Sequence, residues 1–447
     1  MHKTDTAFRN ALVAALGGFL FGFDTAVISG VESSIQQLWS LDKFAHGFTV
    51  ASALIGTVIG SLIAGKPAEK FGRKKVLQAI GLLYLVTSLA TALTDSWLLF
   101  VVFRFLGGIG VGASSVVGPM YISEISPAQK RGRLVALFQF NIVSGILIAF
   151  LSNYLLFGVS DEAWRWMLGV QAFPALIFFV MVFFVPESPR WLVKNQQDAE
   201  AEKALVSIGE SDAALALRNI QESLHTATGA AKEKLFNGQY NKPIMYVIVL
   251  AMFNQLSGIN AIMYYAPRIF EMTGLARDTA LLQAISIGVT NMVFTLLAIS
   301  VIDKFGRKTL LIIGSVGMVI ALGLVTWVFY TRDFGGYAVM FYLVAFIAFF
   351  AFSQGAVIWV FMAEIFPNKV REQGQTLGSF THWIMAVIIS WTFPIIAESS
   401  ENGGFYSFLL FTLMMLLHGI FAWKIIPETK GKSLEGIQRE VLGKAQG

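Results

Sequence analysis

The sequence predicts an all-α membrane protein: twelve transmembrane helices in two six-helix, pseudo-symmetric halves. Three observations predict it. The 447 residues are 55% hydrophobic and only 14% charged, against roughly 25% charged for an ordinary soluble domain, so too few charges exist to cover a soluble surface of that size. Twelve apolar runs are each long enough to cross a bilayer. The motifs that follow the early runs recur behind the late ones. Cysteine is absent, which excludes a disulfide scaffold.

The runs cover residues of about 8–30, 49–65, 76–94, 97–121, 134–157, 165–185, 243–267, 281–302, 309–330, 337–362, 375–396 and 405–426. They are continuous rather than alternating, which argues against a β-barrel. None keeps a polar face, which argues against a soluble bundle. The first run is long enough to span and contains Asp24, so it reads as a retained helix rather than a cleaved signal. Of the 33 Lys and Arg, 27 fall on the side that holds the N-terminus and five on the other (Lys43, Arg165, Arg268, Arg277 and Arg332). Arg104 alone lies well inside a run. Basic residues stay in the cytoplasm, so both termini are expected there, in a plasma (inner) membrane. The same asymmetry accounts for the net charge of +5 without a nucleic-acid partner.

The chain repeats itself. Glu69-Lys70-Phe71-Gly72-Arg73-Lys74 recurs as Asp303-Lys304-Phe305-Gly306-Arg307-Lys308. Glu124-Ile125-Ser126-Pro127 with Arg131 recurs as Glu364-Ile365-Phe366-Pro367 with Arg371. Pro186-Glu187-Ser188 recurs as Pro427-Glu428-Thr429. Parallel repeats of this kind place a pathway along the axis between the halves. The expected divisions are residues 1–189 for the first half, 190–242 for a cytoplasmic linker, 243–426 for the second half and 427–447 for a cytoplasmic tail. Within the linker, Leu205, Ile208, Leu215, Leu217, Ile220 and Leu224 mark one or two short amphipathic helices.

A carboxylate inside a span costs roughly 2.5–3.5 kcal/mol, so Asp24 needs a partner or a proton. An amide serves as hydrogen-bond donor and acceptor together. Gln255 and Asn260 place two of them in the seventh run. Two phosphate-loop decoys fail: Gly60-Ser61-Leu62-Ile63-Ala64-Gly65-Lys66 continues into Pro67, and glycines 107, 108, 110 and 112 sit in an apolar run, where small residues permit close helix contact. The five histidines show no metal spacing and no nucleophile–base set exists, so neither an enzyme nor a cofactor is expected.

Five motifs in order resemble the sugar porter family of the major facilitator superfamily. They are Gly17-Gly18-Phe19-Leu20-Phe21-Gly22-Phe23-Asp24-Thr25-Ala26-Val27-Ile28-Ser29-Gly30, the two Phe-Gly-Arg loops, Pro186-Glu187-Ser188-Pro189-Arg190-Trp191-Leu192, Gln255-Leu256-Ser257-Gly258-Ile259-Asn260 with Tyr264-Tyr265-Ala266-Pro267, and Pro427-Glu428-Thr429-Lys430-Gly431. The resemblance covers nearly the whole chain and is stronger to bacterial proton-coupled members than to facilitators. It implies the major facilitator fold and a proton-coupled monosaccharide symporter, for hexose or pentose, working by alternating access. It pairs Asp24 with Arg104 as the proton-coupling element. It adds Gln139, Asn254, Tyr264, Asn291, Gly355, Trp359, His382 and Trp383 to the sugar site.

Acids and bases recur together at matched positions of the inner loops, so a cytoplasmic gate is expected from Glu69, Arg73, Glu124, Arg131, Glu187 and Arg190, mirrored by Asp303, Arg307, Glu364, Arg371 and Glu428, rather than solvated positive-inside charge alone. Its partners are a monosaccharide, protons and the lipid bilayer, and the chain is expected to act as a monomer.

Several positions depart from the family pattern. Asn254 replaces the first of a glutamine pair, the tenth run lacks the proline that commonly follows Gly355, and His382 stands where relatives vary. An imidazole there either titrates near neutral pH or simply hydrogen-bonds. Gln171 replaces a carboxylate of bacterial relatives. The alternatives are an uncoupled facilitative uniporter, a non-transporting sugar receptor and an exporter of amphipathic compounds. The 21 residues after Ile426 are short for a receptor tail. One proton falling through 100 mV releases roughly 2.3 kcal/mol, enough to concentrate a neutral sugar about forty-fold.

Overall fold

The computed structural model describes residues 3–127, 130–210, 212–228, 233–367 and 369–432. Among them the only regular element is the helix. Twelve helices are long and apolar enough to cross a membrane: Thr6–Leu38, Lys43–Ile63, Arg73–Leu93, Trp97–Glu124, Arg131–Leu156, Ala163–Val182, Asn241–Glu271, Arg277–Ile302, Arg307–Thr331, Ala338–Ile365, Arg371–Ala397 and Gly403–Lys424. They are numbered below as the first to twelfth spans. Exposed faces stay apolar, as lipid requires. Leu82, Val86, Leu89 and Leu93 form one such stripe along the third span.

Several spans outrun the apolar runs that predict them. The first reaches Leu38 rather than 30, and the second begins at Lys43 rather than 49. The extra turns carry polar residues, and hydropathy alone cannot distinguish a polar helical turn from a loop.

Contacts divide the chain into two units. One comprises Met1–Val31 and Ser52–Ala230, the other Glu32–Ala51 and Ala231–Gly447. In the first unit the third span packs on the fourth and the sixth. The first span meets the fifth through glycine. A Cβ on Gly22 would lie 1.9 Å from the carbonyl oxygen of Ile142, and one on Gly145 would lie 2.1 Å from that of Phe19. Glycine also joins the second and fourth spans. Added Cβ atoms at Gly56, Gly60, Gly108 and Gly112 would all fall within 2.2 Å of a facing backbone oxygen. This close approach is what small residues permit between membrane helices.

In the second unit the seventh span packs on the eleventh, the eighth on the tenth, and the ninth on the tenth and twelfth. The pairing scheme is the same as in the first unit, shifted by six spans. The sequence repeats are therefore structural repeats.

The units differ in where spans break, the sixth being interrupted between Gly169 and Ala172 while the twelfth is one helix. The seventh span breaks between Leu256 and Ile259, where Gly258 adopts φ +84°, a left-handed conformation that favours glycine. The tenth breaks at Ser353, between Ala338–Phe352 and Gln354–Ile365.

After the sixth span come three short helices, Pro189–Lys194, Asp198–Ser207 and Ala213–Thr228. Ser188 caps the first of them by accepting from the Trp191 N–H at 3.2 Å. Leu192, Val193, Ala201 and Ala204 bury against Leu217, Ile220 and Leu224. Leu205 and Ile208 join the core of the first unit, whereas Leu215 is exposed.

The glycine contacts yield a contrast. Gly108→Ala and Gly112→Ala should each destabilise the protein by about 1–3 kcal/mol through overpacking. Gly110→Ala, whose Cβ would find its nearest neighbour at an ordinary 3.5 Å, should change little. Melting temperatures of the three variants in detergent check this; equal losses would refute the assigned packing.

Candidate functional site

Asp24 sits in the middle of the first span. Arg104 of the fourth span donates from Nη1 to its Oδ1 at 2.7 Å, and both side chains are largely buried. Two opposite charges held this way in a low-dielectric interior are strongly interdependent, because removing either leaves the other uncompensated. The Arg104 Nε has no hydrogen-bond partner. The pair is thus incompletely satisfied, which suits a contact that must change during function.

A second polar centre lies at the break in the seventh span, within the second unit. Gln255 donates from Nε2 to the Asn254 Oδ1 at 3.2 Å and faces the Nε2 of His382, on the eleventh span, at 3.1 Å. The same amide nitrogen lies 3.4 Å from the Nδ1 of His382. The Gln255 Oε1 is buried without a partner. An orphaned acceptor of this kind is costly.

Aromatic rings flank the amide. His382 lies 5.0 Å from the rings of both Trp359 and Trp383. Trp383 is buried, whereas Trp359 is 41% exposed and presents an open face. Such a ring stacks on the C–H face of a sugar while its N–H donates.

Asn254, one methylene shorter than the glutamine of the family pattern, donates to the Gln354 carbonyl at 3.4 Å. Gly355 follows directly at the break in the tenth span. Tyr264 is buried on the same seventh span, where Asn260 is half-buried, as is Asn291 on the eighth. Gln139 is half-buried on the fifth span, in the other unit.

The charged loops form two matching clusters, one in each unit. Arg73 binds Glu124 through Nε and Nη2, both at 2.8 Å, and Glu187 accepts from the backbone N–H groups of Arg73 and Lys74. The carboxylate thereby caps the third span. Gly72, at φ +95°, is required because a Cβ there would lie 2.2 Å from Glu187. Burial raises the Glu187 carboxyl above its ordinary range, against the opposing pull of the N–H groups of Ser188, Lys74 and Arg73 and the Arg73 charge.

In the second unit Arg307 binds Glu364 at 2.7 Å, Glu428 accepts from the backbone of Arg307 and Lys308, and Gly306 takes φ +90°. Glu69 pairs with Lys194 at the surface, Arg131 donates to the Ser123 carbonyl and Arg371 to that of Phe366. Arg190 is exposed. The side chain of Asp303 lies outside the described residues.

Two buried clusters escape the sequence reading. Gln354 donates to the Nδ1 of His418 at 3.0 Å, with Ser315 Oγ 2.7 Å from the same nitrogen, which ties the tenth-span break to the twelfth and ninth spans. Glu32 and His46 meet in the helical turns beyond the apolar runs. A polar residue inside an apolar run was the available signal for Gln354 and His418. None existed for Glu32 and His46.

Comparison with known proteins accords with this geometry. The family described as sugar (and other) transporter matches residues 10–441. The D-xylose–proton symporter of Escherichia coli is 38% identical, over 98% of this chain and 96% of its own length. The arabinose–proton symporter of Bacillus subtilis is 36% identical, over 98% and 96%. The solved inward-open conformation of the E. coli xylose transporter superposes with a TM-score of 0.85 at 36% identity, covering 97% of this chain and all of that one. This multi-pass membrane protein therefore belongs to the sugar transporter family.

Proposed function

We propose that the chain carries a monosaccharide, hexose or pentose, into the cell together with a proton, by alternating access. Asp24 carries the coupling. It is the acid held in the middle of a span, and its contact with Arg104 is one that a proton would replace. Sugar binds the Gln255 amide, with Trp359 as the stacking face and Asn254, His382 and Trp383 as support. Asn260, Tyr264, Asn291 and Gly355 complete the site within the second unit. The proton is the coupling ion and no cofactor takes part.

In this reading the protein acts as a monomer in the plasma membrane with both termini in the cytoplasm. The Arg73 and Arg307 clusters, with Glu69, Arg131, Arg190, Asp303 and Arg371 around them, form the inner gate. Each cluster clasps the helix ends of its own unit, and the clasp loosens as the inner end opens.

Proteoliposomes test the coupling. With an imposed proton gradient the protein should accumulate labelled sugar, up to about forty-fold at 100 mV. Asp24→Asn should lower the accumulation ratio to one while leaving gradient-free counterflow. Normal accumulation by that variant, or equal accumulation with and without a gradient, would refute symport.

Binding tests the pocket. Gln255→Ala and Trp359→Ala should each weaken sugar affinity about tenfold or more, the loss of a buried hydrogen bond or of a stacking face. Titration calorimetry with xylose, glucose, galactose and fructose measures this and ranks the four sugars. Unchanged affinity in both variants would place the site elsewhere.

A further inference from the structure

His418 is a fully buried imidazole that the transport reading leaves unused. It lies on the twelfth span, within the second unit. Its Nδ1 is 3.0 Å from the Gln354 amide nitrogen and 2.7 Å from the Ser315 Oγ of the ninth span. Its ring meets the Phe253 ring of the seventh span edge-on, with centroids 5.6 Å apart. Four spans, the seventh, ninth, tenth and twelfth, thus converge on this imidazole. Gln354 Oε1 and His418 Nε2 stay buried without a partner, so the cluster costs stability and packing alone does not account for it.

Gln354 joins this cluster to the sugar site. Its side chain faces His418, while its backbone carbonyl accepts from Asn254 at 3.4 Å. Asn254 in turn accepts from Gln255 at 3.2 Å. Trp359 stands further along the helix that Gln354 begins. Whatever fixes Gln354 therefore fixes both the amides and the stacking ring assigned to sugar.

Gln354 is also the first residue after the break in the tenth span. The break falls at Ser353, with φ −121° and ψ −92°. Local sequence does not impose it. Proline is absent between Ala338 and Ile365, and Gly355 weakens a continuous helix without forbidding one. The break therefore depends on what packs around it. Ser353 Oγ donates to the Phe349 carbonyl at 2.6 Å, and a Cβ on Gly314 of the ninth span would lie 1.8 Å from that hydroxyl oxygen. The third hold is the Gln354 amide against His418.

We propose, on the sugar-site reading above, that His418 is a positioning residue for sugar binding: by holding the Gln354 amide it keeps the tenth span broken and sets Asn254, Gln255 and Trp359 in register. His418 itself touches no substrate. Without it the amide loses its partner where no water replaces it, and it is satisfied only by turning away. The carbonyl that Asn254 reaches then moves with it.

His418→Leu keeps the apolar bulk and removes the partner. Titration calorimetry uses whichever of xylose, glucose, galactose and fructose the parent binds best. Affinity in His418→Leu should fall at least about fivefold. His418→Asn, whose amide reaches the place of Nδ1, should stay within about twofold of the parent. Ala356→Pro supplies the rescue. In a continuous helix a proline there would clash with the Phe352 carbonyl, whereas after the break it is the third residue of a new helix, in the first turn, where proline is tolerated. It enforces the break without His418. In that background His418→Leu should cost no more than about twofold.

An equal cost in the two backgrounds overturns the proposal, as does unchanged affinity in His418→Leu or a His418→Asn as weak as His418→Leu. If His418→Leu does not fold into a monodisperse protein in detergent, Gln354→Met removes the same contact from the other side and takes its place throughout. A parent that binds none of the four sugars sinks the sugar reading and this proposal with it. A parent that binds sugar no better than its variants sinks the proposal alone.

Discussion

Hydrocarbon offers no hydrogen-bond partner, so every polar group carried into it must be met by another helix. That constraint organises this protein. The backbone meets it locally, by helix formation. The side chains meet it at a few crossings, Asp24 with Arg104 and Gln255 with His382. Between these crossings, contacts depend on shape, and glycine lets backbone approach backbone at the first–fifth and second–fourth crossings. The few places where the constraint is not fully met are the informative ones. Buried Gln255 Oε1 and Arg104 Nε have no hydrogen-bond partner, and they sit where the proposed mechanism needs a ligand to arrive and an ion pair to change.

The two units use one plan for different chemistry. Their span pairings correspond, and so do their charged loops, down to the glycine that lets a carboxylate cap the following span. The break in the seventh span has no counterpart in the first, which runs as one helix from Lys3 to Leu38. The unbroken first span carries the acid that meets Arg104. A broken one brings amides and backbone carbonyls together, which is what recognition of a polyol requires. The short Asn254 fits this arrangement, because the break in the tenth span lies beside the Gln354 carbonyl it reaches.

Much of the site was legible residue by residue, because a polar residue in an apolar run stands out. Asp24, Arg104 and Gln255 were visible on that ground, and the family resemblance added His382, Trp359 and Trp383. The Glu32–His46 cluster was not legible. Both residues fall in terminal helical turns that hydropathy assigns to a connection, and nothing in their local sequence links them to Arg268. The charged loops were legible as matched motifs, but not as clusters that close within a single unit.

The sequence by itself determined the number of spans, the duplication and the residue types available for chemistry. Composition, run length and repetition are local or periodic properties, and they survive without a third dimension. Only the tertiary structure decided which groups meet. Asp24 and Arg104 are 80 residues apart and Glu32 and Arg268 are 236 apart, and the partner of each is selected by how helices cross. The orphaned oxygen of Gln255 is a property of those crossings, so no reading along the chain could contain it.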